Sequence, residues 1–204
     1  MQKLILTTIL TAGMAFATPA MARGFDSTVT IAVTTPVKIE VNLSESMAHR
    51  ANNLPKDISL RNGARSSDSG FTGNGFYGER DLAALTDYVQ EQLRDDFDKR
   101  GVVVSDAAPV VLRVTIEDAR PNRPTFKQLS REPGLSYRSF GLGGAELSAE
   151  LISAGGESLG TMSYDYFEND IRDAAFGGTW SDARRSISRF ARKASKTLSA
   201  KSTS

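Results

Sequence analysis

Cysteine is absent from the 204 residues, and histidine occurs once, at His49. The lack of cysteine excludes disulfide bonds, thiol catalysis and thiolate metal sites, and it leaves no residue to carry the lipid of an exported lipoprotein. Serine or cysteine triads and histidine-rich zinc sites are disfavoured, because each needs a base that a further group orients. We therefore expect no cofactor and no metal, and no catalytic motif stands out in the sequence.

A charge excess and a second long apolar run are also missing. The chain has 25 basic and 24 acidic residues. Without Lys3, which belongs to the leader described next, the two signs balance at 24 each, so no overall field favours nucleic acid. Beyond the first residues no apolar stretch is long enough to cross a bilayer, and we expect no transmembrane segment in the mature chain.

The single long apolar run lies at the N-terminus and has the layout of a signal peptide. Lys3 precedes the apolar residues 4–17, and Ala20-Met21-Ala22 offers the small side chains that a signal peptidase accepts. The run is shorter than the roughly 20 residues that span a membrane, which favours cleavage over an uncleaved anchor. The sequence predicts a signal peptide over residues 1–22 and a periplasmic or secreted chain that begins near Arg23.

Hydrophobic periodicity predicts two long helices and several strands. Apolar spacings of three and four predict a helix over residues 79–100 that Gly101 ends, and a closing helix from Trp180 to Leu198. Thr179 would cap that second helix, with Asp182 reaching back to its backbone N–H. Strands are predicted over residues 29–33, 37–41, 102–104, 109–118 and, more weakly, 58–60.

Two alternating segments, residues 145–152 and 159–167, predict a hairpin with a two-residue turn at Gly155-Gly156. Counting outward from that turn pairs Ile152 with Leu159 and Leu147 with Tyr164, so that apolar side chains meet on one face. The same register opposes Glu146 and Asp165, a like-charge pair that needs a cation. Arg113 on the preceding strand is the cation we expect, in preference to a metal ion, because two carboxylates make a poor ligand set.

These elements together indicate an α+β fold: an antiparallel sheet with two helices packed on one face, as a two-layer sandwich. We expect a single domain over residues 23–200, with flexible loops near residues 66–78 and 120–142 and a frayed tail at residues 201–204.

The connection near residues 120–142 mixes cations with aromatic side chains and is the first candidate surface. Long connections in compact chains are commonly either functional or disordered. An exported protein would offer such a surface to an anionic glycan, a lipid headgroup or another protein, although a loop without any ligand is the alternative. We expect these residues to contribute little to the core. The candidates are Arg120, Arg123, Phe126, Lys127, Arg131, Tyr137, Arg138 and Phe140.

The closing helix is basic and is the second candidate surface. A basic amphipathic helix can lie on an anionic lipid surface, but its apolar stripe is also what a helix needs to cover a sheet. Both interpretations stay open. The candidate contacts are Arg185, Arg189, Arg192 and Lys196.

The leader, the helix that ends before Gly101, the glycine-turn hairpin and the closing helix resemble small α/β envelope domains. The groups in question are related to the N-terminal domain of TolB, to CsgG and to LptE; many members carry an acylated cysteine that this chain lacks. The resemblance implies an assembly or transport accessory. We therefore expect a non-enzymatic, soluble periplasmic protein that binds another envelope component. A small-ligand or lipid carrier is the alternative, and a hydrolase of unknown type is the third.

Overall fold

The computed structural model describes residues 24–56, 74–170, 172 and 177–199. The predicted leader, the predicted strand at residues 58–60, most of the predicted loop at residues 66–78 and the tail at residues 201–204 lie outside these ranges.

The centre of the fold is a five-stranded sheet. In chain order its strands are β1 (Gly24–Ser27), β2 (Val37–Leu43), β3 (Val110–Arg120), β4 (Gly144–Ile152) and β5 (Ser158–Phe167). Their spatial order is β1-β5-β4-β3-β2, and every neighbouring pair is antiparallel except β2 with β3. The predicted strand at residues 29–33 is wrong, because the first strand ends at Ser27 and pairs with β5. The predicted strand at residues 102–104 is reduced to one bridge between Val104 and Val37.

Four helices are described: α1 (Glu45–His49), α2 (Glu79–Asp98), α3 (Phe126–Arg131) and α4 (Ser181–Leu198). The long helices α2 and α4 pack against one face of the sheet, which confirms the predicted α+β sandwich. Gly101 has a φ of 73° just after α2, as its predicted role as a helix stop requires. Within the described ranges, no helix combines the length and apolarity needed to cross a membrane.

The core lies between the sheet and the two long helices. The apolar side of α2 packs mainly against β2 and that of α4 mainly against β4 and β5, and the buried side chains of β3 complete the core. The buried apolar residues of the two long helices are Leu82, Leu85, Val89, Leu93 and Phe97 on α2 and Ala183, Ile187, Phe190, Ala191, Ala194 and Leu198 on α4. The periodicity predicted all of these side chains except Ala191.

The hairpin register is confirmed over most of its length. Ala145 pairs with Tyr166, Leu147 with Tyr164, and Glu150 with Thr161, as predicted. Near the turn the register shifts by one, so that Ile152 faces Ser158 instead of Leu159. The predicted two-residue turn is also wrong, because Ser153 donates its N–H to the Glu157 carbonyl at 2.8 Å and closes a longer loop.

Candidate functional site

The connection between β3 and β4 is folded and anchored, and its central residues form α3. Thr125 Oγ1 accepts a hydrogen bond from the Gln128 N–H at 3.2 Å, and Gln128 Oε1 accepts one from the Thr125 N–H at 2.9 Å. This reciprocal pair is a capping box, which supports even a six-residue helix. Gln128 also donates through Nε2 to the Gly75 carbonyl at 2.8 Å, which fastens α3 to the chain just before α2.

A second anchor joins the connection to the start of α4. The Asn122 backbone N–H donates to the Thr179 carbonyl at 2.7 Å, and Asn122 Nδ2 donates to Asp182 Oδ2. Asp182 in turn donates its backbone N–H to Asn122 Oδ1 at 2.9 Å. The predicted cap of α4 is therefore wrong. The carboxylate of Asp182 accepts its hydrogen bond from Asn122, and the cap position is occupied by Trp180, whose side chain makes no capping hydrogen bond to the helix.

Close backbone approach places α3 beside the first turn of α2. Gly78 precedes α2 with a φ of 87°, a conformation that glycine adopts without strain. A Cβ on Gly78 would also come within 3.3 Å of Lys127 Cβ, so the glycine leaves room for α3. The first turn of α2 and the start of α3 thus lie next to each other, and a groove is lined by residues of both.

This groove has a volume of about 690 Å³ and is open to solvent on one side. Its most accessible apolar groups are the side chains of Phe126, which is 77% exposed, and Tyr137, which is 72% exposed. The groove is lined by Asn52, Gly78, Glu79, Arg80, Asp81, Ala84, Pro124, Thr125, Phe126, Lys127, Ser130, Tyr137 and Thr179. We call it the α2–α3 groove.

Hydrogen bonds fix most of the polar rim of the α2–α3 groove. Lys127 Nζ donates to Asn52 Oδ1 at 2.9 Å, and Asn52 Nδ2 donates to Glu79 Oε1 at 3.0 Å. Trp180 Nε1 donates to Asp81 Oδ1 at 2.8 Å. A rim of both charge signs around two exposed aromatic rings suits a mixed polar and apolar partner better than a purely anionic one.

The basic residues predicted as contacts in the connection do not form one surface. Arg123 donates through Nε to the Gly177 carbonyl at 2.7 Å and through Nη1 to the Tyr137 carbonyl at 3.0 Å. Arg120 bonds to Asp118 at 3.2 Å and lies 4.6 Å from the centre of the Phe167 ring. These two side chains bond within the fold, and the expectation that the connection contributes little to the core stays a prediction.

The remaining predicted residues of the connection divide between the groove and its surroundings. The Arg131 guanidinium stacks 4.1 Å from the centre of the Phe76 ring. Arg138 is exposed and Phe140 is half-buried, and neither lines the groove. Only Phe126, Lys127 and Tyr137 of the predicted set are brought together in the α2–α3 groove.

The predicted contacts on α4 lie on the outer face of that helix, away from the groove. Arg189 stacks 4.7 Å from the centre of the Tyr166 ring, whereas Arg192 and Lys196 are exposed. Arg185 is 3.5 Å from both Glu168 and Asp182. These cations form a separate surface.

Sequence reasoning missed the groove residues that α2 and the chain before it supply. Glu79, Arg80 and Asp81 occupy the first turn of a helix that was predicted, so their place beside a helix N-terminus was readable. Asn52 gave no such signal, because only the tertiary fold brings it to Lys127.

The like-charge pair of the hairpin is present, but its predicted cation is wrong. Glu146 faces Asp165 across β4 and β5, whereas Arg113 lies opposite Glu150 and bonds to Glu40 at 3.4 Å. Burial, together with the neighbouring Asp165, raises the pKa of the Glu146 carboxyl above its ordinary value. In the described ranges no three acidic or histidine side chains converge in a way that could hold a metal ion.

No family model matches the chain, and no curated protein matches it. Among solved structures, it is similar to the PelC dodecamer from Paraburkholderia phytofirmans, at 12% identity and a TM-score of 0.40, over 86% of this chain and 98% of that one. It is also similar to protein XCC0632 from Xanthomonas campestris, of the family DUF330, at 10% identity and a TM-score of 0.45, over 81% of this chain and 85% of that one. Neither is a TolB domain, CsgG or LptE, so that expected resemblance stays a prediction.

Proposed function

We propose that this chain is a non-enzymatic binding protein of the cell envelope, which holds a partner protein in the α2–α3 groove. The observation that carries the proposal is the exposure of Phe126 and Tyr137 at the edge of an anchored groove. Large aromatic side chains left in solvent beside a concave surface are typical of interaction sites, where a few such anchors supply most of the binding free energy.

The construction of the groove supports a binding role further. The capping box of α3 and the Asn122–Asp182 contact hold both walls in place before any partner arrives. A site that is already ordered loses less conformational entropy on binding, which favours affinity. The location in the envelope rests on the predicted leader at residues 1–22.

The experiment is site-specific photo-crosslinking in intact cells. A photoreactive phenylalanine analogue at Phe126 should yield a covalent adduct with one protein of defined mass, identified by mass spectrometry. The same analogue at Ile31, an exposed apolar position outside the groove lining, is the matched control and should yield none. Equal labelling from both positions, or no adduct at Phe126, would contradict the proposal.

A small-ligand or lipid carrier is the second candidate, and the volume of the groove favours it. About 690 Å³ lies within the range of roughly 300–1,000 Å³ typical of small-molecule sites. Native mass spectrometry of protein purified from the envelope separates the two functions. A bound species of a few hundred daltons that is lost in Phe126→Ser would favour the carrier over the partner protein.

A further inference from the structure

The outer face of α2 carries an acidic stripe. Asp87, Glu91, Asp95 and Asp98 are all exposed, and none forms an ion pair within the described ranges. Their spacings of four, four and three residues keep them on one side of the helix. At a rise of 1.5 Å per residue the stripe is about 16 Å long.

The outer face of α4 carries a basic stripe of the same length. Arg185, Arg189, Arg192 and Lys196 are spaced four, three and four residues apart, and α4 has no acidic residue after Asp182. Arg192 and Lys196 are exposed and form no ion pair in the part of the chain that the structure describes.

The two stripes lie side by side but do not neutralise each other. Three side-chain hydrogen bonds show that α2 and α4 run in the same direction, because residues further along one segment contact residues further along the other. They join Asp81 with Trp180 at 2.8 Å, Tyr88 with Ser188 at 3.0 Å, and Arg100 with Ser195 at 2.9 Å. No acid of α2 meets a base of α4 in these contacts. The acidic stripe and the exposed end of the basic stripe, Arg192 and Lys196, therefore keep their charges available, whereas Arg185 pairs with Glu168 and Asp182 and Arg189 lies over the Tyr166 ring.

Such a surface is complementary to a second copy of itself. We propose that two copies of this chain form a dimer through their helix layers, with the acidic stripe of each copy on the basic stripe of the other. A two-fold axis parallel to the helices produces this pairing. A two-fold axis perpendicular to the helices and in the plane of the helix layer would instead place the acidic stripe of one copy on the acidic stripe of the other, and basic on basic. Because like charges repel in that second arrangement, charge alone selects the first.

The area and composition of the surface set the strength of this dimer. Two helices about 30 Å long and about 10 Å wide offer roughly 600 Å² per copy, at the low end of specific interfaces. None of the exposed large apolar side chains lies on α2 or α4. Electrostatic attraction must therefore hold the copies together, and salt weakens it, since the Debye length falls from about 10 Å at 0.1 M to about 3 Å at 1 M.

Sedimentation velocity as a function of salt tests the dimer. We expect dimers in about 20 mM salt and monomers in about 1 M salt. The α4 variant Arg192→Glu/Lys196→Glu and the α2 variant Glu91→Lys/Asp95→Lys should each be monomeric in low salt. An equimolar mixture of the two should form dimers again, because each variant then supplies the stripe that the other lacks. The control Lys38→Glu/Arg113→Glu, on β2 and β3, should dimerise as the parent does, and circular dichroism should confirm that all variants fold.

Four results would overturn the proposal. A chain that is monomeric at every salt concentration has no such interface. Dimers that survive both sets of reversals use another surface, and a mixture that grows beyond dimers contradicts the two-fold arrangement. The basic stripe would instead be assigned to a lipid surface if the parent chain is monomeric and sediments with phosphatidylglycerol vesicles, and if only the α4 variant fails to bind those vesicles.

Discussion

Truncation of Phe190 tests whether the core lies where the fold places it. Phe190 is fully buried on α4, and its ring centre lies 6.4 Å from that of Phe25 on β1. A buried phenylalanine removes at least about 150 Å² from water, which at about 25 cal/mol per Å² gives nearly 4 kcal/mol. Phe190→Ala should therefore lower the free energy of unfolding by roughly 3–5 kcal/mol, including the cost of the cavity.

Phe126→Ala is the matched control, because it makes the same chemical change at a position that is 77% exposed. Urea denaturation at 25 °C gives the free energy of unfolding from the midpoint and the slope of the transition. We expect Phe126→Ala to stay within about 0.5 kcal/mol of the parent. Phe190→Ala should also speed amide exchange in β1, since Phe25 loses its neighbour. A larger loss from Phe126→Ala than from Phe190→Ala would refute the assignment of core and groove.

Two further predictions concern side chains whose sequence-based roles changed. The pKa of Glu146 is raised in the fold, so its ionised form costs stability: the cost is absent below the ordinary glutamate pKa and grows as the pH rises through the raised value. Glu146→Gln should therefore raise the melting temperature at pH 7 but not at pH 3, and Glu150→Gln, opposite Arg113, should bring no gain. Arg123→Ser should lower the free energy of unfolding by about 1–3 kcal/mol, because two backbone carbonyls lose a charged hydrogen-bond donor. Arg138→Ser, at an exposed position, should leave that free energy nearly unchanged. Equal urea denaturation midpoints for the two variants would contradict this difference.

The hairpin and the long helices were predictable because local pattern and burial agree in them. A one-residue slip between β4 and β5 would move Leu147 and Tyr164 to the wrong face, so the alternation fixes the register. The first strand could not be found in this way. Gly24–Ser27 contains one large apolar residue, Phe25, and its pairing with β5 depends on a long-range contact that no local pattern signals.

The groove was only partly predictable. Thr125 and Gln128 have the spacing of a capping box, a signal in the sequence that would have identified α3 inside the supposed loop. The exposure of Phe126 and Tyr137 was not readable, since aromatic residues in an interrupted segment serve as core or surface equally well. Which cations stay available depends on backbone carbonyls such as that of Gly177, which the fold alone brings to Arg123.

The central claim is that the α2–α3 groove binds the partner, and calorimetric titration of the crosslinked partner, purified separately, tests it most directly. Truncating an interface anchor commonly costs about 2 kcal/mol or more, so Phe126→Ser should weaken the affinity by roughly 30-fold. Ile31→Ser, the control outside the groove lining, should bind within about twofold of the parent, a difference of only about 0.4 kcal/mol. Equal affinities for the parent and Phe126→Ser would contradict the claim.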